Sequence, residues 1–527
     1  MTQIDDLKNR INQLELQRQL NNQADDTLEA AIRDRLPLGQ TMQMMMPLVV
    51  QAMGATSFMI RTFNETLEMH NYYMGNKEES LFAQINDDLR DEFYFEKDGK
   101  TLIGQSLDVA GQWFGTAAAI LDNNLDYEER QNKSELLNTW CEELDNYMAT
   151  IAQARLKQSV TNHLADALTY RMLDEGVKKA ISILNDNVIF DDMILVYWSQ
   201  GESGRAAIHY KVVQEGELKF QSGAEPHQDF DDFLKNNFEE AMASGSHLLT
   251  EYFGMAHCFE EQLIYGVKRQ EVIGRIVVNR KSCEFSTFDR DLLEIFSCHL
   301  RQRIVDFNRE WRHLSLCFSP ETVQRLMSEK DYIDRFLKPK EYPVVVMYTD
   351  ISGFTKLSEQ ELNEPALIGD LIDVWSNQVV EYIWQTGGVF DKLVGDCVIG
   401  LWGPPFNEMN PKEACQKGLG TAKKIREFTI SLSQGKDMPA LKGLNTGVST
   451  ALNYCPMFVG LFGPNEAYTG FSSGMNNTAR LQALAGDNEI LCMEEFVEAH
   501  GGVADFGSQE QAQVKNVAKP IKYRKLL

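Results

Sequence analysis

Residues 348–355 read Y-T-D-I-S-G-F-T, and they close the apolar run V-V-V-M-Y at 344–348. A nearly continuous apolar run of this length predicts a strand that is central or buried on both faces. Asp350 therefore sits at a strand end, beside the open backbone of I-S-G-F-T. After the helix-like stretch A-L-I-G-D-L-I-D-V-W-S-N-Q-V-V-E-Y-I, the chain continues G-G-V-F-D-K-L-V-G-D-C-V-I-G-L-W from Gly387 to Trp402. Gly387-Gly388 predicts a tight turn, and F-D-K-L-V with C-V-I-G-L-W predicts a hairpin that turns at Gly395-Asp396. Register across that hairpin brings Asp396 beside Asp350. A lone aspartate at a turn commonly does no more than cap it. Two converging carboxylates are different: they suit Mg2+ or Mn2+ rather than zinc. In nucleotide chemistry one such ion acidifies a sugar hydroxyl and the other takes up charge on the triphosphate.

The motifs D-I-S-G-F-T and G-G-x-x-x-K-x-x-G-D resemble the catalytic domain of class III adenylyl/guanylyl cyclases. The likeness extends over residues 315–527 and includes G-L-N-T-G-V at 443–448. It implies a ferredoxin-like α+β domain that pairs head to tail and builds its sites across the dimer interface. By this resemblance Asp350, Ile351 and Asp396 hold two Mg2+ or Mn2+ ions, and Ile351, Gly353, Phe354 and Thr355 cradle phosphate. Lys392 corresponds to the purine-reading lysine, donating to adenine N1, where guanine carries an opposing N1–H. Thr469 stands where adenylyl cyclases carry Asp or Thr and guanylyl cyclases a Cys or similar residue. Guanylyl cyclases also place Glu where Lys392 stands.

The stretch Y-T-G-F-S-S-G-M-N-N-T-A-R-L, 468–481, is similar to the family's V-N-x-A-x-R. It implies that Asn476 orients the ribose and Arg480 stabilises the transferring phosphate; four residues apart on a helix, they share a face. Lys515 matches a lysine that often meets the triphosphate, although Asn516 stands where the family has glycine. Ser472 and Met475 depart from the family's Gly and Val, and neither change removes a catalytic charge. The implied reaction converts ATP to 3',5'-cyclic AMP and pyrophosphate in a homodimer. The alternatives are a guanylyl cyclase and a catalytically weak, cyclic-nucleotide-sensing scaffold. A diguanylate cyclase would need G-G-[DE]-E-F, which G-G-V-F-D is not.

Outside this region the chain reads as further domains, as 527 residues demand. A net charge of −26 opposes nucleic-acid and anionic-membrane partners. No apolar run reaches membrane-spanning length, the N-terminus is too polar for a signal peptide, and nine cysteines form no C-x-x-C pair. A soluble, cytoplasmic protein is the expectation. Residues 1–34 are expected to form a helix with a short coiled-coil seam at Ile4, Leu7, Ile11 and Leu14. The order of helix, sheet, helices, hairpin and long exit helix at 161–300 resembles a GAF domain, and 35–160 resembles a more divergent one; 301–340 are expected to form a signalling helix and transducer linker, and 341–527 the catalytic domain. Within these, helices are expected over 35–53, 76–93, 125–160, 163–184 and 227–243, with a long exit helix opening near Thr287. Asn279, Arg280, Phe285 and Asp289 resemble part of the N-K…F-x-x-x-D-E signature of cyclic-nucleotide-binding GAF domains. That leaves three readings: a cyclic-nucleotide pocket, a pocket for another small ligand, and a dimerisation module. The pair His257-Cys258 reads as structural.

Overall fold

The computed structural model describes residues 3–64, 66, 68–77, 80–86, 88–109, 111–200, 206–223, 225–256, 258–265, 271–436, 438–464, 466–514 and 520–527. The chain divides into two compact units, Met1–Asn162 and His163–Leu527.

The first unit contains α1 (Gln3–Arg33), α2 (Leu38–Met53), β1 (Ser57–Phe63), β2 (Met69–Met74), β3 (Glu92–Lys97), β4 (Lys100–Val109), β5 (Gln112–Leu121) and the start of α3 (Tyr127–Leu168). Its five strands form an antiparallel sheet in the order β2-β1-β5-β4-β3. The methionine run of α2 is core: Met42, Met45, Met46 and Met53 are buried, and Trp140 of α3 donates to the Met45 carbonyl at 3.0 Å. Pro47 lies inside α2, which runs on to Met53. On α1, Leu20, Ala24 and Leu28 are buried, whereas the expected seam residues Leu7, Ile11 and Leu14 are exposed. The helix expected over 76–93 is not formed. Its described residues make turns, a short 3-10 helix at Phe82–Gln84 and the start of β3. The alternation of E-F-Y-F-E-K fits the pairing of β3 with β4, and that edge position outweighs the acidic, helix-favouring composition.

The second unit opens with α4 (Leu173–Asn187), β6 (Asp192–Gln200), β7 (Ala206–Gln214), β8 (Glu217–Gln221), α5 (Gln228–Met242), α6 (Leu248–Phe253), β9 (Cys258–Tyr265), β10 (Glu271–Asn279) and α7 (Thr287–Leu314). The helix expected over 163–184 is broken between Leu168 and Leu173, where α3 ends and α4 begins. Five antiparallel strands form the sheet β8-β7-β6-β10-β9. In both sheets the first strand lies between the second and the fifth. The third strand differs: it flanks the fourth in the first sheet and the second in the other. On one face the rings of Tyr210, Phe220, Phe230, Phe233, Tyr252 and Phe253 pack between strands and α5–α6. On another side buried Lys211 of β7 bonds Asp174 of α4 and Gln221, tying α4 to the sheet.

The signature residues of this sheet have structural partners. Asn279 donates to Asp192 at 3.0 Å, and Arg280 lies 3.7 Å from Asp289. Phe285 is buried, and Asp289 completes a capping box with Ser286 at the start of α7. Replacing Asp289 by alanine keeps the Ser286 cap on the residue 289 amide but removes the returning carboxylate of the capping box, at an expected cost of about 0.5–1 kcal/mol. Urea unfolding of wild type and variant checks this. His257 lies outside the described residues, and Cys258 opens β9.

The remaining elements are α8 (Pro320–Ser328), β11 (Lys340–Ile351), α9 (Phe354–Lys356), α10 (Pro365–Gln385), β12 (Val389–Val394), β13 (Cys397–Trp402), α11 (Pro411–Ser431), β14 (Val448–Phe462), β15 (Ala467–Phe471), α12 (Ser473–Gln482), β16 (Ile490–Met493), α13 (Glu494–His500), β17 (Glu510–Ala512) and β18 (Ile521–Lys525). The core path β11-α10-β12-β13-α11-β14 is βαββαβ, with strand order β12-β13-β11-β14. That is the ferredoxin-like arrangement expected from the sequence. The parallel pairing of β14 with β16 makes the eight-stranded sheet mixed. Trp375, Val379 and Ile383 of α10 and Cys415, Ala422 and Ile425 of α11 bury one face of it. Val345 and Met347 of β11 enter this core, and Val344 and Val346 on the opposite face are buried as well, which is why the run is apolar.

Ser319 caps α8, accepting from the Thr322 amide at 3.3 Å, with Pro320 in the first turn. Just before this cap, the Cys317 carbonyl accepts from the Phe390 amide at 3.0 Å and from Trp384 Nε1 at 3.1 Å. The Phe318 ring packs on Phe406 and Tyr468, at 4.4 and 5.1 Å between centroids. The linker thus touches β12 and β15. At its other side Tyr332 bonds Glu310 of α7, and Arg171 lies over the Tyr332 ring at 5.1 Å.

Candidate active site

Central strand β11 delivers Asp350 to its C-terminal end, opposite Cys397 of β13 on one side and Ser449 of β14 on the other. Gly395, at φ 64°, turns the β12–β13 hairpin and sets Asp396 next to that end. Glycine is needed there because other residues rarely adopt this conformation. Asp396 is thereby a close electrostatic neighbour of Asp350. Burial, and then the neighbouring Asp396, push the Asp350 carboxyl up to about 7. The Gln482 amide opposes this, at 3.5 Å from Asp350 Oδ2, and the same nitrogen donates to Ser449 Oγ at 2.8 Å.

Asp350 Oδ1 is buried and has no hydrogen-bond partner, and the same is true of Ser352 Oγ. Buried polar atoms of this kind normally find a partner. Among the described residues no group of three or more His, Cys, Asp or Glu side chains forms a metal cluster. A pair of carboxyls with an open oxygen, together with a backbone carbonyl, still fits a hard divalent cation that keeps part of its water shell. The Ile351 side chain is buried, so Ile351 could contribute only through its backbone.

The loop after Asp350 turns at Gly353, with φ 66°, before the single turn of α9. Its Ser352 amide donates to the Gly447 carbonyl at 2.9 Å. Gly447 explains part of G-L-N-T-G-V, since a Cβ there would meet Asp487 Oδ1 at 1.8 Å. Gly353 and Thr355 are exposed and Phe354 is half-buried, leaving the loop open to a ligand.

A second group of side chains assembles on β12 and β15. Lys392 Nζ donates to Thr469 Oγ1 at 2.8 Å, although the two are far apart in sequence. Beside them lies the buried Asp391, 3.6 Å from Lys392 Nζ. Sequence reasoning did not single out Asp391, Gln482 or Ser449. Only Asp391 carried a signal, a carboxylate in the otherwise apolar context of F-D-K-L-V.

Ser472 is the N-cap of α12, accepting from the Met475 amide at 2.9 Å, so serine at this position has a local purpose. Met475 is buried beneath the helix. Asn476 is exposed and Arg480 half-buried. Successive helical residues turn by about 100°, so Gln482, which faces Asp350, points away from the face shared by Asn476 and Arg480. Arg480 Nη1 reaches Asn477 Oδ1 at 3.5 Å. Lys515 and Asn516 lie outside the described residues.

No protein-family model matches the chain. Over 111 residues it is 32% identical to the photoactivated adenylate cyclase subunit alpha of Euglena gracilis, covering 21% of this chain and 10% of that protein. An alpha-like protein of the same organism, 1224-5/1F, is 33% identical over 110 residues. The chain thus spans about a tenth of the length of the curated relatives it matches. Among solved structures, the adenylyl cyclase CyaB from P. aeruginosa is 25% identical with a TM-score of 0.33, covering 36% of this chain and 96% of that one. The guanylyl cyclase Cya2 is 18% identical with a TM-score of 0.31, covering 36% and 93%. Names for both purine nucleotides therefore occur among the similar proteins. No helix of the described residues is long and apolar enough to cross a membrane.

Proposed function

We propose that the chain is a nucleotidyl cyclase of class III type, and specifically an adenylyl cyclase that forms 3',5'-cyclic AMP and pyrophosphate from ATP. The observation that carries this reading is the pair of complementary half-sites: Asp350 with Asp396 at the end of β11, and Lys392 hydrogen-bonded to Thr469. Divalent cations held by Asp350, Asp396 and the Ile351 carbonyl would acidify the ribose 3'-hydroxyl and take up charge on the triphosphate. The open loop Gly353–Thr355 would hold phosphate. Lys392 would donate to adenine N1, and Thr469 would accept from the 6-amino group. Asn476 would position the ribose, and Arg480 would donate to the α-phosphate as negative charge builds there. The 3'-oxygen–phosphorus bond forms, the bond to pyrophosphate breaks, and the hydroxyl proton leaves to solvent.

A second copy of the chain completes each site in this proposal. The face bearing Asn476 and Arg480 turns away from the chain's own Asp350, which supports a crossed homodimer. Leu393, Val394, Phe458 and Phe471 are exposed on the same domain and would be covered by it. The exposed Leu7, Ile11 and Leu14 of α1 suit a further contact between copies. The two five-stranded domains would act as GAF-like regulators. Their signal would reach β12 and β15 through Cys317 and Phe318.

The test is product formation by the purified protein from ATP or GTP, in Mg2+ and in Mn2+. Cyclic AMP from ATP is the expected result. Cyclic GMP as the main product would replace the adenylyl reading with the guanylyl one, a name several similar solved structures carry. No product from either nucleotide would leave a scaffold.

A further inference from the structure

Asp391 is the extra residue of a β-bulge. Strands β12 and β13 pair Phe390 with Gly400 and Lys392 with Ile399, so Asp391 has no opposite number. Bulges re-aim side chains, often next to active sites. This one places the Asp391 side chain, 0% exposed, beside the Lys392 ammonium at 3.6 Å. Lys392 in turn donates to Thr469 Oγ1 at 2.8 Å. Neither Asp391 oxygen has a hydrogen-bond partner. Burial raises the Asp391 carboxyl, while the Thr469 hydroxyl and the Lys392 ammonium pull it back toward the charged form.

The polarity of this triad follows from its chemistry. An ammonium only donates, so Thr469 Oγ1 is the acceptor in its bond to Lys392. The hydroxyl proton of Thr469 then needs an acceptor, and the two unpartnered oxygens of Asp391 lie beside the Lys392 ammonium that bonds this hydroxyl. A hydroxyl has one proton and two lone pairs. With the proton turned to Asp391 and one lone pair on Lys392, a single lone pair remains for a ligand.

We propose that Asp391 is a specificity-determining positioning residue: by taking the Thr469 proton it makes Thr469 a pure acceptor toward the purine 6-position. That acceptor welcomes a 6-amino group and opposes a 6-oxo group, whose oxygen would face another oxygen. Asp391 acts through Thr469 and touches no substrate atom itself. The inference rests on the adenylyl cyclase reading.

The test compares kcat/KM for ATP and for purine riboside triphosphate, which keeps N1 but lacks the 6-amino group, in wild type and in Asp391→Asn. The asparagine amide can donate to Thr469 and turn its proton outward. The expected result is a fall of about ten-fold in the preference for ATP over purine riboside triphosphate. Equal losses on both substrates, leaving the ratio as it was, would overturn the proposal, because a merely structural role lowers both. If Asp391→Asn does not fold, wild type alone decides with 6-methoxypurine riboside triphosphate, whose 6-oxygen only accepts. Poorer use than purine riboside triphosphate supports an acceptor-only Thr469, and equal or better use overturns it. Wild type that makes no cyclic product, or prefers GTP, refutes the adenylyl reading itself. Wild type that prefers ATP while Asp391→Asn keeps the same ratio refutes only the role of Asp391.

Discussion

Asp396→Ala is expected to lower cyclic nucleotide formation by about a hundred- to a thousand-fold while leaving the fold intact. Asp396 sits in a hairpin turn and is half-buried, so no core packing depends on it. The loss is electrostatic. Asp350 would remain, but a single carboxylate cannot hold a divalent cation against its hydration as a converging pair can. Thermal melting provides a readout independent of turnover. In wild type, Mg2+ at about a hundred times its dissociation constant should stabilise the protein by ~2.7 kcal/mol. The variant should melt at the same temperature with and without Mg2+. Full activity in the variant, or an undiminished Mg2+ shift, would show that this carboxyl pair is not the metal site.

Two inactive variants are expected to restore each other. Asp396→Ala removes the half-site at the end of β11, and Arg480→Ala removes the half-site on α12. If each site takes one half from each copy, a mixed dimer has one site with both defects and one with neither. With random pairing about half of the dimers are mixed, so about a quarter of wild-type activity should return. Co-expression with two different affinity tags and a cyclic AMP assay on the doubly purified dimer checks this. In that purified mixed dimer the expected value is about half of wild type. If both halves of a site belonged to one chain, each chain of the mixed dimer would carry its own defect and activity would stay at background. The geometry of α12 makes the expected outcome specific: Gln482 points to the chain's own Asp350, while Asn476 and Arg480 lie on another face.

The ferredoxin-like domain was legible because its strands are nearly pure in pattern. V-V-V-M-Y, F-D-K-L-V and C-V-I-G-L-W each carry one dominant signal, and glycines mark the turns. The two five-stranded domains were harder. The 76–93 segment has helix-favouring acidic residues but lacks a sustained apolar face, and its last residues pair with β4 as an edge strand. The break between α3 and α4 was missed because no Pro or Gly marks it. There Arg303 of α7 donates to the Tyr170 carbonyl at 2.9 Å, a long-range contact that no local pattern encodes.

By itself, the order of residues determined the groups on offer: two aspartates beside glycine turns, a lysine and a threonine on strand-like segments, and an Asn–Arg pair on one helix. Such features are local, set by turn conformation and by the period of strand and helix. Only the tertiary structure decided which of these groups meet. It brought Lys392 to Thr469, added Gln482 to Asp350, and used a bulge to bury Asp391 beside Lys392. Those contacts depend on strand register and on a one-residue bulge, and a shift of one residue would turn every side chain on a strand to the other face.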